Sequence, residues 1–396
     1  MKRLLTLFLI LNTVFLSGCW DMRELNELGM VMMVGVDKGP NNSGFLVTVQ
    51  IAKGKGQGGG QGNTGGGEAT WVASADGSTI FEAVRNIARF SSRRIMWAHN
   101  NVIVIGEDLA REDITPVIDF FTHNPELRMK TWVGIARGKA SEYVSVKTGM
   151  EDIPGIAVAE LFRYNQLPSI STQTDMLRLY SDFLSDSIQP IVSAFRKREK
   201  MPGEGRSQVE LSGGAVFKGT RMLGWLTPEE IRGISWVRGE TKSTVLSVSN
   251  ISDNDKKVAV EIRNIKVKTN SEIINGSPII NIDFKAEGHI AEEDFISNMS
   301  ISEMKSKVEK ETERQVKRYI TQGIDRVQKE YKSDVLGFGR RVHIEHKYEW
   351  DRSIKSKWED IYPNTEAKVN VRIDLRSSIL YQQPIKQEKQ SGGLSE

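Results

Sequence analysis

The chain has 396 residues, with 54 Lys and Arg against 51 Asp and Glu, a formal net charge of +3 and a single cysteine. Near-balanced charge gives no broad electrostatic footprint for nucleic acid. One cysteine excludes an intrachain disulfide, and at roughly 100–200 residues per domain the length predicts two or three domains.

The first residues read as an export signal. Lys2 and Arg3 precede an apolar run from Leu4 to Leu16, interrupted by Thr6, Asn12 and Thr13. At about 13 residues the run suits a signal peptide and falls short of the roughly 20 needed to cross a bilayer. It ends in Leu16-Ser17-Gly18-Cys19, the bacterial lipobox pattern of an aliphatic residue, two small residues and Cys. The small residues let the extended chain fit a signal peptidase. Residues 1–18 are therefore expected to be removed between Gly18 and Cys19, leaving Cys19 as an N-terminus carrying N-palmitoyl and S-diacylglycerol groups. Two or more acyl chains anchor stably where one is marginal. Lipidation uses the one thiol, so the body has none for a nucleophile or a metal site.

Beyond the anchor segment 19–27, Leu28 to Val36 is apolar throughout and reads as a buried strand, with Phe45 to Ala52 as its hairpin partner. Lys53 to Gly67 is glycine-dominated. Its formal G-x-G-x-x-G at Gly54, Gly56 and Gly59 is followed by more glycine rather than a helix, so it reads as a hairpin tip and not a dinucleotide loop. Trp71 to Ala75 is a strand. Thr79 and Glu82 form a capping-box pattern before Ile80, Ala83, Val84, Ile87 and Phe90 at helical spacing. Strands at Asn101–Ile105 and Thr131–Ala136 alternate with a helix around Ile114–Phe121. Helices at 156–165 and 174–184 and a strand at 188–195 complete an N-terminal α/β domain, 19–195.

Arg196 to Ser207 is charged, holds Pro202, Gly203 and Gly205, and reads as a linker. Residues 208–250 then predict a small middle α+β domain: two strands, a helix opened by Thr227-Pro228-Glu229-Glu230 and ending near Gly233, and a strand at Thr244–Val248. A C-terminal α/β domain, 251–381, begins with an alternating strand over Lys257–Lys268. Its partner is Ile279–Phe284, across an Asn275-Gly276 turn. A long helix, 300–331, opens at Ser300 and carries Met304, Val308, Val316, Ile320, Ile324, Val327 and Tyr331 as one apolar stripe. That stripe is expected to pack on the protein's own sheet. Val342–Tyr348 reads as a strand, Trp350–Ile361 as a short helix, Ala367–Leu375 as a strand and 382–396 as a polar tail. The fold class is thus mixed, α+β and α/β: an elongated multi-domain ectodomain of mixed sheets packed with helices.

Catalytic chemistry is hard to assemble from these residues. There is no G-x-S-x-G elbow and no phosphate-binding loop. His343 and His346 are close in sequence, but on a strand their spacing places them on opposite faces. His99 and His123 read as core-edge residues. Glu292-Glu293-Asp294 reads as a solvated turn, and Glu349, Asp351, Glu359 and Asp360 as exposed helix charges. Trp20, Trp225, Trp236, Trp350 and Trp358 are candidates for partner anchoring, though core packing is the commoner fate. No catalytic residue, metal ligand or cofactor site is assigned, and the protein is not expected to be an enzyme.

Three blocks carry a resemblance. They are Gly18-Cys19-Trp20-Asp21 with Arg23-Glu24-Leu25-Asn26-Glu27-Leu28-Gly29; Gly213-Gly214-Ala215-Val216-Phe217-Lys218 with Gly224-Trp225-Leu226; and Ser333-Asp334-Val335-Leu336-Gly337-Phe338-Gly339 followed by Trp350 and Trp358. In this order they resemble the Ger(x)C family, the C-subunit lipoproteins of nutrient germinant receptors in spore-forming bacteria. The glycine tip looks longer than usual for that family, and His343-Ile344-Glu345-His346 stands where a more basic segment is expected. The resemblance implies a non-enzymatic lipoprotein, anchored on the outer face of the spore inner membrane. It also implies work alongside A-type and B-type membrane subunits in nutrient-triggered germination, with the B-type subunit the better candidate for nutrient contact. Two other readings stay open on the residues alone. One is a solute-binding lipoprotein that captures a nutrient directly, which would want two similar lobes around a cleft. The other is a lipid-anchored hydrolase, which would want converging carboxylates or a metal.

Overall fold

The first strand, β1 (Leu28–Lys38), is buried along almost its whole length. That is the environment a continuous apolar run requires, and it places β1 inside a sheet covered on both faces. The structure, a computed structural model, describes residues 27–53, 69–165, 169–205, 207–249, 251, 257–293 and 300–376. The lipobox with Cys19, the Gly18–Cys19 junction, Trp20, the glycines from Gly54 to Gly67, Asp294 and the tail 382–396 lie outside these residues.

In chain order, β1 is followed by β2 (Phe45–Ala52), β3 (Thr70–Gly77), α1 (Ile80–Ala88), β4 (Arg94–Met96) and β5 (Val102–Ile105). Then come α2 (Glu107–Glu112), α3 (Thr115–His123), β6 (Trp132–Ala136), α4 (Ala140–Val144), α5 (Pro154–Tyr164), α6 (Met176–Phe183) and β7 (Ile191–Arg198). Next are β8 (Gln208–Lys218), β9 (Arg221–Leu226), α7 (Pro228–Val237), β10 (Ser243–Val248), β11 (Val258–Ile274) and β12 (Ser277–Glu293). The chain closes with α8 (Ile301–Asp325), α9 (Phe338–Glu345), short helical turns up to Asn364, and β13 (Glu366–Arg376).

Two mixed sheets organise these elements. The first runs β3-β2-β1-β5-β6-β7-β8-β9, with β4 pairing the start of β1. Its centre (β1, β5, β6, β7) is parallel and its two flanks are antiparallel hairpins. One face packs Val31, Val34 and Val36 against Ile80, Ile87, Val117, Phe121 and Leu179 of α1, α3 and α6. The other packs Met33, Val102 and Val104 against Tyr143, Val144, Val158 and Phe162 of α4 and α5. A register shift lies between Val31 and Met33, and beyond it Val34 and Val36 share the face of Val31 while Met33 serves the other.

The second sheet runs β10-β11-β12-β13. β11 and β12 are joined by Asn275 (φ 51°) and Gly276 (φ 77°), the left-handed pair a two-residue hairpin turn demands. The alternation in β11 changes phase between Ile262 and Ile265. There the register slips and Asn264 adopts φ 52°, so the phase break is a bulge. The stripe of α8 packs on this sheet: Met304, Val308, Val316, Ile320 and Ile324 meet Val260, Ile262, Ile280, Phe284, Val369 and Ile373. Glu309 and Glu313, one turn apart on α8, accept the backbone N–H groups of Leu375 and Ile373 at 2.9 and 3.0 Å. They occupy the outer hydrogen-bonding edge of β13, which blunts it against pairing with another chain.

Several expectations change. Residues 208–250 do not stand apart as a middle domain. Strands β8 and β9 extend the first sheet, β10 edges the second, and α7 lies between them. Residues 196–207 are a hairpin connection rather than an interdomain linker, since β7 continues to Arg198 and pairs back with Gln208. The helix opened by Thr227 has the full reciprocal capping box, but it runs past Gly233 to Val237. Residues 342–345 are helical, not a strand. Glu292 and Glu293 end β12 instead of forming a turn.

Candidate functional site

The expected site, Cys19, is outside the described residues, but the place where its segment joins the fold is defined. Leu28 pairs in parallel with Arg94, Gly29 with Ile95 and Met30 with Met96. The neighbouring strand ends are here too: Met30 is opposite Ala52, which is opposite Thr70. The N-terminal segment therefore reaches the first sheet at the edge formed by the start of β1, β4 and the β2–β3 hairpin.

The other two blocks that carried the resemblance come together, far from that edge in sequence. The Ser333 hydroxyl donates to the Phe217 carbonyl at 2.5 Å, joining the 333–339 block to the 213–218 block. The Tyr331 hydroxyl donates to the Trp225 carbonyl at 2.8 Å. A Cβ at Gly224 would overlap that same Tyr331 hydroxyl, so glycine is required where the two elements touch. Ile191, Val216, Leu226, Ile231, Ile234, Val327 and Val335 form a buried apolar cluster around this contact. The blocks thus build the seam between the sheets rather than a reactive centre.

Asp334 is the polar hub of the seam. Its carboxylate accepts from Phe338 N (2.9 Å), Gly339 N (2.7 Å) and the Trp358 indole N–H (3.2 Å). It thereby satisfies the first donors of α9, which the preceding Gly337 (φ 72°) turns toward it. Burial raises its pKa to about 6, against the lowering effect of those hydrogen bonds. Its backbone carbonyl accepts from Gln189 N at 2.9 Å, and Arg340 N donates to the Ser187 carbonyl at 3.1 Å. The phenol of Tyr362 donates to the Ser333 carbonyl at 3.1 Å, and burial beside Asp334 pushes its pKa well up.

A buried ionic cluster flanks the hub. Arg238 donates to Glu240 at 2.7 Å through Nε and to the Val335 carbonyl at 2.6 Å through Nη1. Arg178 meets Glu240 at 2.8 Å and Thr172 donates to it at 2.9 Å. Burial opposes ionisation of Glu240, yet Arg238 and Arg178 hold its pKa below the ordinary value. Asp182, 3.8 Å from Arg238, is shifted the other way, because burial outweighs the same two cations. The sequence reading missed this cluster. The i,i+4 spacing of Arg178 and Asp182 was its one local signal.

The remaining candidates scatter. His343 stacks on Trp350, and His346 Nε2 is 3.0 Å from the Ser271 carbonyl. His99 and His123 are exposed rather than at the core edge. Glu349, Asp351, Glu359 and Asp360 are exposed, with Glu359 paired to Lys218 at 2.9 Å. Trp236, Trp350 and Trp358 are core residues, and Trp225 is half-buried with its indole donating to Glu107 at 3.0 Å. Among the described residues no group of three or more His, Cys, Asp or Glu could hold a metal, and no helix is long and apolar enough to cross a membrane.

Two family models match. The spore germination protein N-terminal domain matches residues 21–197, and the spore germination B3/GerAC-like C-terminal domain matches residues 212–379. Among curated relatives from Bacillus subtilis strain 168, putative spore germination protein YfkR is 27% identical, covering 91% of this chain and 92% of its own. Spore germination protein KC is 26% identical, covering 98% of each. The crystal structure of the GerBC protein matches with a TM-score of 0.54 at 20% identity, over 86% of this chain and 96% of that one, a likeness of fold.

Proposed function

The chain belongs to the GerAC-like family of spore germination proteins, and on that premise we propose that it is a lipid-anchored, non-enzymatic subunit of a spore germinant receptor. It takes part in nutrient-triggered germination through contacts with membrane-embedded A-type and B-type subunits. It is held through acylated Cys19 on the outer face of the spore inner membrane. The observation that carries this is coverage: the two family models tile the chain from 21 to 379, and relatives named as spore germination proteins match over nearly their full lengths. The locations of its family-bearing blocks support a role by contact. They hold two unlike sheets together and converge on no reacting atom. Unlike sheets also count against the solute-binding alternative, which would want two similar lobes.

The test is Cys19→Ala in spores. The expected result is loss of the protein from the inner-membrane fraction and a germination response to nutrient that falls at least tenfold. Affinity capture of the native chain from detergent extracts is expected to bring multispan membrane proteins with it. Normal membrane retention of the variant, with repeated failure of capture, would leave the reading without support.

A further inference from the structure

One face of the first domain combines exposed aromatics with unpaired arginines, and it lies at the edge where the N-terminal segment enters. Phe81 and Phe90 on α1 and just after it are 57% and 55% exposed. Phe90 packs edge-on to Trp71 at the start of β3, with ring centroids 6.1 Å apart. Arg85, Arg89 and Arg94 are exposed and Arg93 is half-buried. Arg85 lies over the Phe81 ring at 4.9 Å. Arg94 faces Glu126 at 3.9 Å, while Arg85, Arg89 and Arg93 have no acidic partner among the described residues. Between α1 and α3 the face holds an open groove of about 490 Å³, lined by Val84, Ala88, Ile95, Trp97, Phe120 and Pro125.

Position selects the occupant. Arg94 is the strand neighbour of Leu28, and neighbouring strands lie about 5 Å apart. Eight residues, 20–27, separate Leu28 from Cys19, and the nine Cα steps between them reach under about 33 Å even when fully extended. A chain anchored at Cys19 therefore holds the edge at Leu28, and the Arg94 end of this face beside it, within about 33 Å of the lipid headgroups.

We propose that this face rests on the bilayer, with Arg85, Arg89, Arg93 and Arg94 taking anionic phospholipid headgroups and Phe81 and Phe90 entering the boundary between headgroups and acyl chains. The proposal rests on the lipid-anchor reading above. Each arginine close to an anionic surface strengthens attachment roughly fivefold, and phenylalanines beside a basic face bury into the headgroup–acyl boundary of interfacial elements. The face need not bind membranes tightly by itself, because the anchor supplies a high local concentration of lipid. Its effect is to fix orientation: the first sheet is held at the membrane, with one side of the body presented in a set direction.

The test uses the acylated full chain, whose one natural cysteine is Cys19. A single added cysteine can then carry an environment-sensitive fluorophore, at Phe81→Cys, Phe90→Cys or, as control, Ile274→Cys at the tip of the second sheet. The labelled proteins are reconstituted on phosphatidylcholine vesicles with and without phosphatidylglycerol. In the anionic vesicles the probes at 81 and 90 should shift to the blue and be quenched several-fold by nitroxide-bearing lipid, and the control should not. Arg85→Glu with Arg89→Glu should abolish the shift while the protein still floats with the vesicles. A floating protein whose probes at 81 and 90 stay as wet as the control overturns the face and leaves the anchor standing. A chain that does not float overturns the anchor reading. The face is then judged by tethering the same labelled chain, with Cys19→Ser, through an N-terminal His tag to anionic vesicles bearing a nickel-chelating lipid, which restores the local lipid concentration; no shift there overturns it too.

Discussion

The Ser333 hydroxyl and the Phe217 carbonyl meet at 2.5 Å across the seam between the two sheets, 116 residues apart in sequence. Removing the hydroxyl leaves a buried carbonyl facing no donor. The cost of such an orphan is about 1–3 kcal/mol. Ser333→Ala should lower stability by that amount in urea unfolding followed by tryptophan fluorescence. No substitution at Phe217 can repair the loss, because the acceptor is main chain. An unchanged midpoint would mean that water replaces the hydroxyl freely.

Asp334 makes the seam pH-sensitive in a stated direction. Its folded pKa, raised from 3.8 to about 6 by burial, lies above its unfolded value. The stability it supports is therefore fully present below about pH 4 and is lost as the pH rises through 6. The loss amounts to about 3 kcal/mol at most, spread over that window. Asp334→Asn removes the titration and also replaces one acceptor oxygen by a donor. The variant should lose the fall in stability between pH 4 and 6 that the parent shows. The slope of unfolding free energy against pH, compared between the two proteins, checks this. Parallel slopes would place the titrating group elsewhere.

The buried charges beside the seam should respond asymmetrically. Truncating one partner strands the other in a low dielectric, at a cost of about 3–5 kcal/mol. Arg238→Met removes both the 2.7 Å contact to Glu240 and the donor to the Val335 carbonyl. It should destabilise more than the pair Arg238→Met with Glu240→Leu, in which no uncompensated carboxylate remains. A double-mutant cycle measures the difference. Equal costs for single and double variants would show that Arg178 alone satisfies Glu240.

The parts of the fold legible in the sequence were those decided by local pattern. β1 is a run of apolar residues, the β11–β12 hairpin carries Asn275-Gly276, and α7 and α8 open on reciprocal capping boxes at Thr227 and Ser300. Misreadings arose where distant partners decide. Val342-His343-Ile344 alternates like a strand. It becomes helix because Asp334, anchored by Trp358 and by its own carbonyl bond to Gln189, presents a carboxylate to Phe338 and Gly339. Residues 196–207 have the composition of a linker, and a hairpin loop has the same composition; only the pairing of Arg198 with Gln208 separates the two. The ionic cluster draws on residues from 172 to 240, and no periodicity encodes it. The seam itself was visible only as blocks of unexplained Gly and aromatic residues.

Gly233 of α7 and Gly323 of α8 lie where the two helices touch. A Cβ at Gly233 would overlap the Tyr319 carbonyl oxygen, and a Cβ at Gly323 would approach the Glu230 carbonyl to 2.7 Å. Helices α7 and α8 thus cross at backbone contact, one from each side of the seam. Alanine is the better helix former, so on an isolated helix Gly233→Ala would stabilise. Here it should destabilise by about 1–3 kcal/mol, because the helices must separate. Thermal unfolding of the variant decides between the signs, and a raised midpoint would show that the crossing has room to relax.

The short reach from Cys19 to β1 yields the prediction with the most functional content. If the first sheet works by sitting close to the bilayer, the segment between Trp20 and Leu28 is a measured tether and not a spacer. A flexible insert of Gly and Ser there leaves every described contact of the fold untouched, so thermal stability should be unchanged. An insert of about 20 such residues adds a coil with a root-mean-square span of roughly 25 Å, and the body is free to tilt and lift. Germination in response to nutrient should then fall several-fold while the protein remains in the membrane fraction. Joining the insert to Arg85→Glu and Arg89→Glu should add little, since both act by releasing the same orientation. Normal germination with the long insert would argue that the membrane subunits hold the protein in place without help from its tether.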